Sequence, residues 1–386
     1  MKRLFMLAVA VMATMGASAQ LYYQDVTNVD MMRHSQRNEA HRREIVIPNV
    51  NGYTVYKADL HTHTIYSDGS VTPEYRVREA WMDGLDVMAC TEHLEYRRWE
   101  GQFLQFLKGH VAEGTKASGN KDAKVDFNLA NKLEKDAAVS YGITIIPGVE
   151  ITRTPETIGH YNALFVKDAN TIWDEDPEKA IRNAREQGAV IMHNHPGWRR
   201  KNLQMQEFEK KVYDADLIDG VEIMNGSEFY PSVVTRAQER GLFMSANTDI
   251  HGTTAMDYQG IGQMRNMTFI LAKDQTLPSL KEALLARRTL AYSFGAIAGD
   301  EQLVKDFFMA CVEFKEVVKN SNGTTTMRLV NNSSIDYVLR FGGNPVPLNA
   351  FQSRNVTVAK DGSIKFTVEN MWIPGEKQHP EIKLKF

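Results

Sequence analysis

Between Lys57 and Ser70 the chain reads KADLHTHTIYSDGS, with two of its eleven histidines one residue apart and an aspartate five positions after the second. In extended backbone, residues i and i+2 point to the same side, so His61 and His63 present two imidazoles to one point. Such a pair can hold a divalent metal ion, or each ring can take a hydrogen-bond partner at a strand end. The rest of the chain bears on that choice. CTEH, PGVE, GHYNAL, MHNHP and NTDIH each border an apolar run and carry His, Asp or Glu, and together with LHTHT they hold seven of the eleven histidines. Histidines satisfied singly in a core would not be concentrated in this way, and a metal centre accounts for the clustering.

Spacing adds detail. His193 and His195 in HNHPG, and Asp249 and His251 in NTDIHG, repeat the i, i+2 arrangement. Adjacent Glu92 and His93 cannot both point inward from a regular strand, so one of them stands behind the site. Glu150 ends the run IIPGVE, and a carboxylate there can bridge two cations through its two oxygens. Mixed nitrogen and oxygen ligands fit Zn, Mn or Fe(II) better than Ca or Mg. A cluster of such ions would lower the pKa of a bridging water towards neutrality and clamp the oxygens of an in-line phosphoryl displacement. The chemistry expected is hydrolysis of a phosphate mono- or diester by a metal-bound hydroxide, with no side-chain nucleophile. Arg199 and Arg200 follow directly on HNHPGW, and Arg153 lies three residues after Glu150. All three are placed to grip a phosphate, although the same RRK run also reads as a solvated loop.

Those residues need a scaffold that brings strand ends together. From Val55 to about Leu290 the sequence alternates short apolar runs (YKADLH, LDVMAC, ITIIPGVEI, HYNALFV, AVIMHNH, GVEIMN, LFMSANTD, MTFILA) with amphipathic stretches such as PEYRVREAWMDG, FNLANKLEKDAAVSYG and DPEKAIRNAREQG. Each of these three stretches closes on a glycine suited to a helix C-cap. The alternation predicts βαβ crossovers, a mostly parallel sheet and a closed or nearly closed barrel, whose C-terminal face gathers the functional residues. GHYNAL alone puts its histidine at the start of a run. Beyond Cys311 the pattern changes to alternating segments (TTTMRLVN, DYVLRF, NVTVA, SIKFTVEN, IKLKF) separated by Asn-Gly, Gly-Gly and Asp-Gly turns. That predicts a small all-β domain, read as a sandwich, with no chemistry of its own. The division expected is a signal peptide over 1–19, a lead-in over 20–54, the barrel over 55–292, a connecting helix over 293–311 and the β domain over 312–386.

HTH with a following SDG, then TEH, PGVE, a later GH, HPG and TDIHG resemble, in that order, the PHP (polymerase and histidinol phosphatase) family of metal-dependent phosphoesterases. The resemblance covers about residues 55–292. It implies a distorted (β/α)7 barrel with a two- or three-metal cleft. By position, His61, His63, Glu150 and Asp249 would hold one ion, Glu150, His160 and His195 a second, and Asp68, His93 and His251 a third, with Glu150, Asp249 and His195 acting directly in catalysis. Two departures stand out. TEH replaces the family's TDH, which leaves the role of Glu92 open, and His193 is additional, either a hydrogen-bonded neighbour of the site or a ligand. Two rival readings remain: an amidohydrolase-type barrel cleaving C–N bonds, whose bridging ligand is commonly a modified lysine where this chain has Glu150, and a non-catalytic metal- or ligand-binding protein.

Composition narrows the rest. A chain that is 43% hydrophobic and 24% charged has ordinary globular content, and a net charge of −3 with no dense basic run disfavours sequence-independent binding to duplex nucleic acid. A small phosphorylated substrate or short nucleotide is the expected partner, and oligomeric state is left open. The opening MKRLFMLAVAVMATMGASAQ has the basic, apolar and small-residue sections of a secretory signal, without a lipid-anchor cysteine, and predicts a periplasmic or secreted protein. No later run reaches the roughly 20 apolar residues of a membrane span. Two cysteines exclude a disulfide framework.

Overall fold

Every apolar run named above folds as a strand in the computed structural model, which describes residues 22–34, 41–97 and 126–386. The expected signal segment and most of the long connection after Leu94 lie outside the described residues. The chain divides into two units, Met1–Arg42 and Arg43–Phe386. The described part of the first is an antiparallel pair, β1 (Tyr22–Gln24) and β2 (Met32–His34).

In the second unit the strands β3 (Thr54–Asp59), β4 (Val87–Cys90), β5 (Thr144–Thr152), β6 (His160–Leu164), β7 (Val190–Asn194), β8 (Gly220–Asn225), β9 (Glu228–Phe229), β10 (Phe243–Asn247), β11 (Met267–Ala272), β12 (Thr289–Ser293) and β13 (Ala296–Gly299) belong to one curled sheet, in the order β10-β8-β7-β6-β5-β4-β3-β11-β12-β13, with β9 beside β8. β3, β4 and β5 run parallel, as do β7, β8 and β10. The sheet is less parallel than the alternation predicts, because β6 is antiparallel to both neighbours and β11 is antiparallel to β3 and β12. The curl closes through side chains. Thr289 Oγ1 accepts from Met244 N (3.2 Å) and donates to Met244 O (2.8 Å), and Thr268 Oγ1 does the same for Ala246 (3.1 and 3.0 Å). Two threonine hydroxyls thus stand in for a strand ladder between β10 and the pair β11 and β12, satisfying backbone groups that burial would otherwise leave unpaired.

The helices α1 (Pro73–Met82), α2 (Leu129–Ala138), α3 (Pro177–Glu186), α4 (Glu207–Asp214), α5 (Pro231–Glu239), α6 (Thr254–Asp257), α7 (Leu277–Leu285) and α8 (Glu301–Cys311) fill the polar stretches. α3 shows why. Asp176 caps it by accepting from Glu178 N, Pro177 opens the first turn, and Ala180, Ile181 and Ala184 form the buried stripe. α1 begins at capping Thr72 and stops before Gly84, which takes a φ of 92° and approaches Arg43 so closely that a Cβ would lie 2.6 Å from its carbonyl oxygen.

The C-terminal residues form two antiparallel sheets. β14 (Val312–Lys319), β15 (Thr325–Asn331) and β18 (Ser353–Val358) make one, and β16 (Tyr337–Arg340), β17 (Val346–Leu348), β19 (Ser363–Val368) and β21 (Glu381–Lys385) the other. Met327 and Leu329 of the first and Leu339, Phe366 and Val368 of the second share one apolar cluster, as facing sheets require. That cluster does not stop at Cys311. It continues through Phe307 and Phe308 of α8 into Val77, Met88, Phe269 and Leu290. In addition β20 (Met371–Trp372) pairs in parallel with β13, extending the barrel sheet with a C-terminal strand.

Candidate metal centre

The C-terminal ends of β3, β4, β5, β7 and β10 lie at one end of the sheet. β6 contributes its N-terminal end there because it runs the other way, which is why His160 precedes its apolar run. Register places His160 opposite Thr152 of β5 and Asn194 of β7. All nine residues expected as ligands converge on this end, in four groups whose ligand atoms lie within 4.8 Å of one another: His63, Asp68, His93 and His251; His61, His63 and Glu150; His61, His195 and Asp249; and Glu150, His160 and His195. Compared with the family assignment, His63 also sides with the Asp68 group, and His195 reaches Asp249 as well as Glu150.

Glu150 is the hub and is fully buried. Its Oε1 lies 3.4 Å from His61 Nε2 and 3.2 Å from His160 Nδ1, and its Oε2 lies 2.5 Å from His93 Nδ1. Asp249 Oδ1 is 3.2 Å from His61 Nε2 and 3.0 Å from His63 Nε2. Asp68 Oδ1 sits 3.3 Å from His93 Nε2 and 3.1 Å from His251 Nε2. His61 Nε2 and His63 Nε2 are buried and make no hydrogen bond of proper geometry among the described residues. Buried polar atoms are rarely left so, and two imidazole nitrogens aimed at a carboxylate hub are the donor set that a divalent cation completes.

Electrostatics reflect the crowding. Burial opposes charge on His61, yet Asp249, Glu222 and Glu150 together hold its pKa well above the ordinary imidazole range. Burial likewise opposes charge on His93, and Glu150 and Asp68 raise it to about 10. His63 goes the other way, down to about 3, through burial and the neighbouring His251 and His93. Burial works to raise Glu150 and Asp249, but the surrounding histidines pull both well below the usual carboxylate range. Two of the nine also hold strained backbone: His195 has a φ of 24° and Asp249 a φ of 53°. Non-glycine residues in that region are uncommon and cluster at functional sites. Gly69 of the SDG turn lets the loop fold tightly over the HTH segment, since a Cβ there would lie 2.8 Å from the carbonyl of His63.

Glu92 faces behind the cluster, where its Oε1 accepts from Thr64 Oγ1 (2.6 Å) and its other oxygen from Ser67. It also approaches Cys90 and Glu134 in a separate buried group. His193 lies apart from all of the clusters that hold the nine, with Nδ1 2.9 Å from Tyr213 Oη and Nε2 3.1 Å from Glu209 Oε1. The three arginines divide. Arg153 pairs with Glu95 and donates to Asp174 O, and Arg200 pairs with Glu209 at 2.5 Å and donates to Pro155 O at 2.7 Å. Arg199 is exposed and lies over the Trp198 ring at 4.4 Å, while Trp198 meets His160 and His195 edge-on at 5.4 and 5.2 Å.

Two supporting residues escaped the sequence reading. Glu222, fully buried on β8, accepts from His61 Nδ1 (2.9 Å) and Asn247 Nδ2 (2.9 Å) on one oxygen, and from His195 N (2.7 Å) and Asn225 Nδ2 (2.8 Å) on the other. Such a carboxylate fixes the tautomer of a ligating histidine so that its Nε2 faces the metal. Asn194 donates to Glu150 Oε1 and to Asn162, both at 2.9 Å, and orients the hub. An acid inside the apolar run GVEIMN was the available signal for the first. For Asn194 there was none beyond its place between two histidines.

A family model for the PHP domain matches residues 59–251. The chain is 31% identical to a two-domain protein from Bacteroides vulgatus containing a predicted PHP-like metal-dependent phosphoesterase, with a TM-score of 0.77 over 91% of this chain and 100% of that one. Similarity is lower to an amidohydrolase from Chromobacterium violaceum with bound sulfate (17% identity, TM-score 0.35, 52% of this chain and 89% of that one) and to a lesion-specific endonuclease from Pyrococcus furiosus (16%, 0.39, 64% and 59%). Neither of these two bears on function at such scores. No curated protein matches the chain.

Proposed function

Because the chain belongs to the PHP family, we propose that it is an exported metal-dependent phosphoesterase that hydrolyses a phosphate mono- or diester at a di- or trinuclear centre. The observation that carries this reading is the convergence of nine nitrogen and carboxylate ligands around buried Glu150. Zn, Mn or Fe(II) suits such donors. When bound, the ions supply a water acidified towards neutrality and positive charge opposite the phosphoryl oxygens. His61, His63 and Asp249, with Glu150, would hold one ion. Glu150, His160 and His195 would hold a second, and Asp68, His93 and His251, with His63, a third.

The protein's own groups do the rest. Glu222 orients His61, Asn194 orients Glu150, and the fully buried floor keeps water away from the charges, which strengthens them. Arg199, carried on Trp198 at the mouth, is the cation that reaches substrate, whereas Arg153 and Arg200 brace the loops around it. His193 acts through Glu209 as a brace for Arg200. Among the described residues no helix is long and apolar enough to cross a membrane. The substrate proposed is a small phosphorylated molecule or short nucleotide rather than a duplex, given the net charge of −3.

The test is a panel of phosphomonoesters, phosphodiesters, nucleotides, a duplex oligonucleotide and simple amides, each assayed with Mn, Zn and Fe(II) beside elemental analysis of the protein. Phosphate-ester turnover that vanishes in His61→Ala is the expected result. Amide cleavage alone, or ligand binding without turnover under every metal, would overturn it. N-terminal sequencing of the protein from a fractionated cell checks export: a mature chain beginning near Gln20 is expected, and an intact Met1 in the cytoplasm would refute it.

A further inference from the structure

The ligands sit on loops nearly two hundred residues apart, HTHT after β3 and DIHG after β10. Three backbone hydrogen bonds join them: Asp249 N to His61 O (3.0 Å), His63 N to Ile250 O (3.2 Å) and Ser70 N to His251 O (2.7 Å). One side chain reinforces all of this from below. Arg76 of α1 is fully buried, an expensive place for a guanidinium unless its donors are met. Its Nε and Nη2 donate to the His63 carbonyl at 3.1 and 3.0 Å. Nη2 also reaches the carbonyls of Ile250 (3.2 Å) and Gly252 (2.8 Å), the two residues flanking His251.

The same face of α1 continues the grip. Arg76 Nη1 pairs with Glu79, whose Oε1 accepts from Thr254 N at 2.7 Å. Asp83, a turn further on, accepts from Thr254 Oγ1 and Gln259 Nε2, both at 2.7 Å. Arg76 and Glu79 of α1, with Asp83 at its C-cap, therefore form a polar stripe, and the segment from Ile250 to Gln259 rests on it. A planar guanidinium with fixed donor directions is suited to holding several carbonyls in one geometry, which a lysine ammonium is not.

We propose that Arg76 is a positioning residue that sets the affinity of the outer metal position, formed by His63, Asp68, His93 and His251, and leaves the position formed by Glu150, His160 and His195 largely untouched. The reason is geometric. Arg76 holds the backbone of two of the four outer ligands, His63 directly and His251 from both sides, and touches none of the inner group. This rests on the metal-dependent reading above, but its readout is metal affinity rather than turnover.

The experiment titrates metal-free wild type, Arg76→Met, Arg76→Lys, Arg76→Met/Glu79→Gln and His251→Ala with Mn(II) against a competing chelator, with circular dichroism and thermal unfolding recorded for each. Arg76→Met should weaken one equivalent ten- to a hundredfold, the size of effect that ligand-supporting groups commonly have. It should be the same equivalent that His251→Ala loses, with the equivalent held by Glu150, His160 and His195 moving less than threefold. Arg76→Lys should recover part of the affinity. The double variant removes the carboxylate charge that Arg76→Met strands, so matching affinities in the two exclude an unpaired Glu79 as the cause. If both Met variants fail to fold, Arg76→Lys decides the matter: an unchanged affinity for every equivalent overturns the proposal. Equal weakening of all equivalents in step with a fall in Tm would also overturn it, as a purely structural role. A wild type that binds no Mn, Zn or Fe(II) would sink the metal-dependent reading itself, a separate failure.

Discussion

Replacing Glu222 with glutamine tests whether the centre depends on a group that touches no substrate. The carboxylate faces four donors, two on each oxygen: His61 Nδ1 and Asn247 Nδ2 on one side, His195 N and Asn225 Nδ2 on the other. A glutamine amide keeps the shape but must turn its NH2 towards one of those pairs, whichever way it is flipped. Two hydrogen bonds to a charged acceptor are then lost, at about 1.5 kcal/mol each, for a total of about 3 kcal/mol or roughly a hundredfold in an equilibrium constant. Part of that appears as lost stability, and the remainder as metal affinity, because either the His61 ring or the His195 backbone is no longer held. Chelator competition on the folded variant should show at least a tenfold weaker metal site. A Glu222→Gln protein that binds every equivalent within threefold of wild type, while His61→Ala has lost metal, would refute the argument.

Further outcomes follow from the same geometry. Glu150→Ala should remove or weaken two metal equivalents, since Glu150 faces His61 and His63 on one side and His160 and His195 on the other, whereas Asp68→Ala should weaken one; equal losses by elemental analysis would contradict the grouping. Metal affinity should rise with pH. His93, held at about 10, and His61, held well above the usual range, both carry a proton at neutrality in the metal-free protein, and each proton displaced adds up to roughly tenfold per pH unit until the folded pKa is passed. The stability that those two raised imidazoles add to the metal-free fold is present below the unfolded pKa and disappears as pH rises through the folded one, so a metal-free protein that grows more stable from pH 7 to 10 would contradict the pairing. Arg199→Ala should lower kcat/KM by about 1–3 kcal/mol of transition-state stabilisation with metal content unchanged. Truncation after Cys311 should yield unfolded or insoluble chain, because the removed residues share a core with the barrel and total stability is only about 5–15 kcal/mol; a folded, metal-binding truncation by circular dichroism would show the barrel to be self-sufficient.

Much of this was legible in the chain because the barrel writes its strands as short apolar runs and its helices as capped amphipathic ones. The nine clustered residues were legible because histidines and acids stand out at the borders of such runs. Even the reversed strand left a trace, in that His160 precedes its run where the others follow theirs. What could not be read depends on contacts between distant residues. Glu222 sits mid-strand, and only the fold reveals that His61 lies opposite it. Arg153 and Arg200 look identical to Arg199 in sequence, yet Glu95 and Glu209, which engage the first two, approach from other elements. The stitching hydroxyls of Thr268 and Thr289 are ordinary strand threonines until β10 is laid beside them. The same holds for β20, two residues long, whose partner is more than seventy positions upstream.

That short strand has a consequence for the order of events when the protein is made. Met371 and Trp372 leave the ribosome after all nine clustered residues, and Trp372 packs edge-on against Phe229 as β20 aligns with β13. A nascent chain therefore carries all nine clustered residues long before it carries the strand that extends the sheet. Any product cut short before β20 bears the complete cluster of histidines and acids on a scaffold with an open edge and an uncovered core. Proteases act on such open forms in proportion to their population. A chain cut before Met371 therefore lacks the strand that pairs with β13 and the side chains of Met371, Ile373 and Ile382 that complete the shared core.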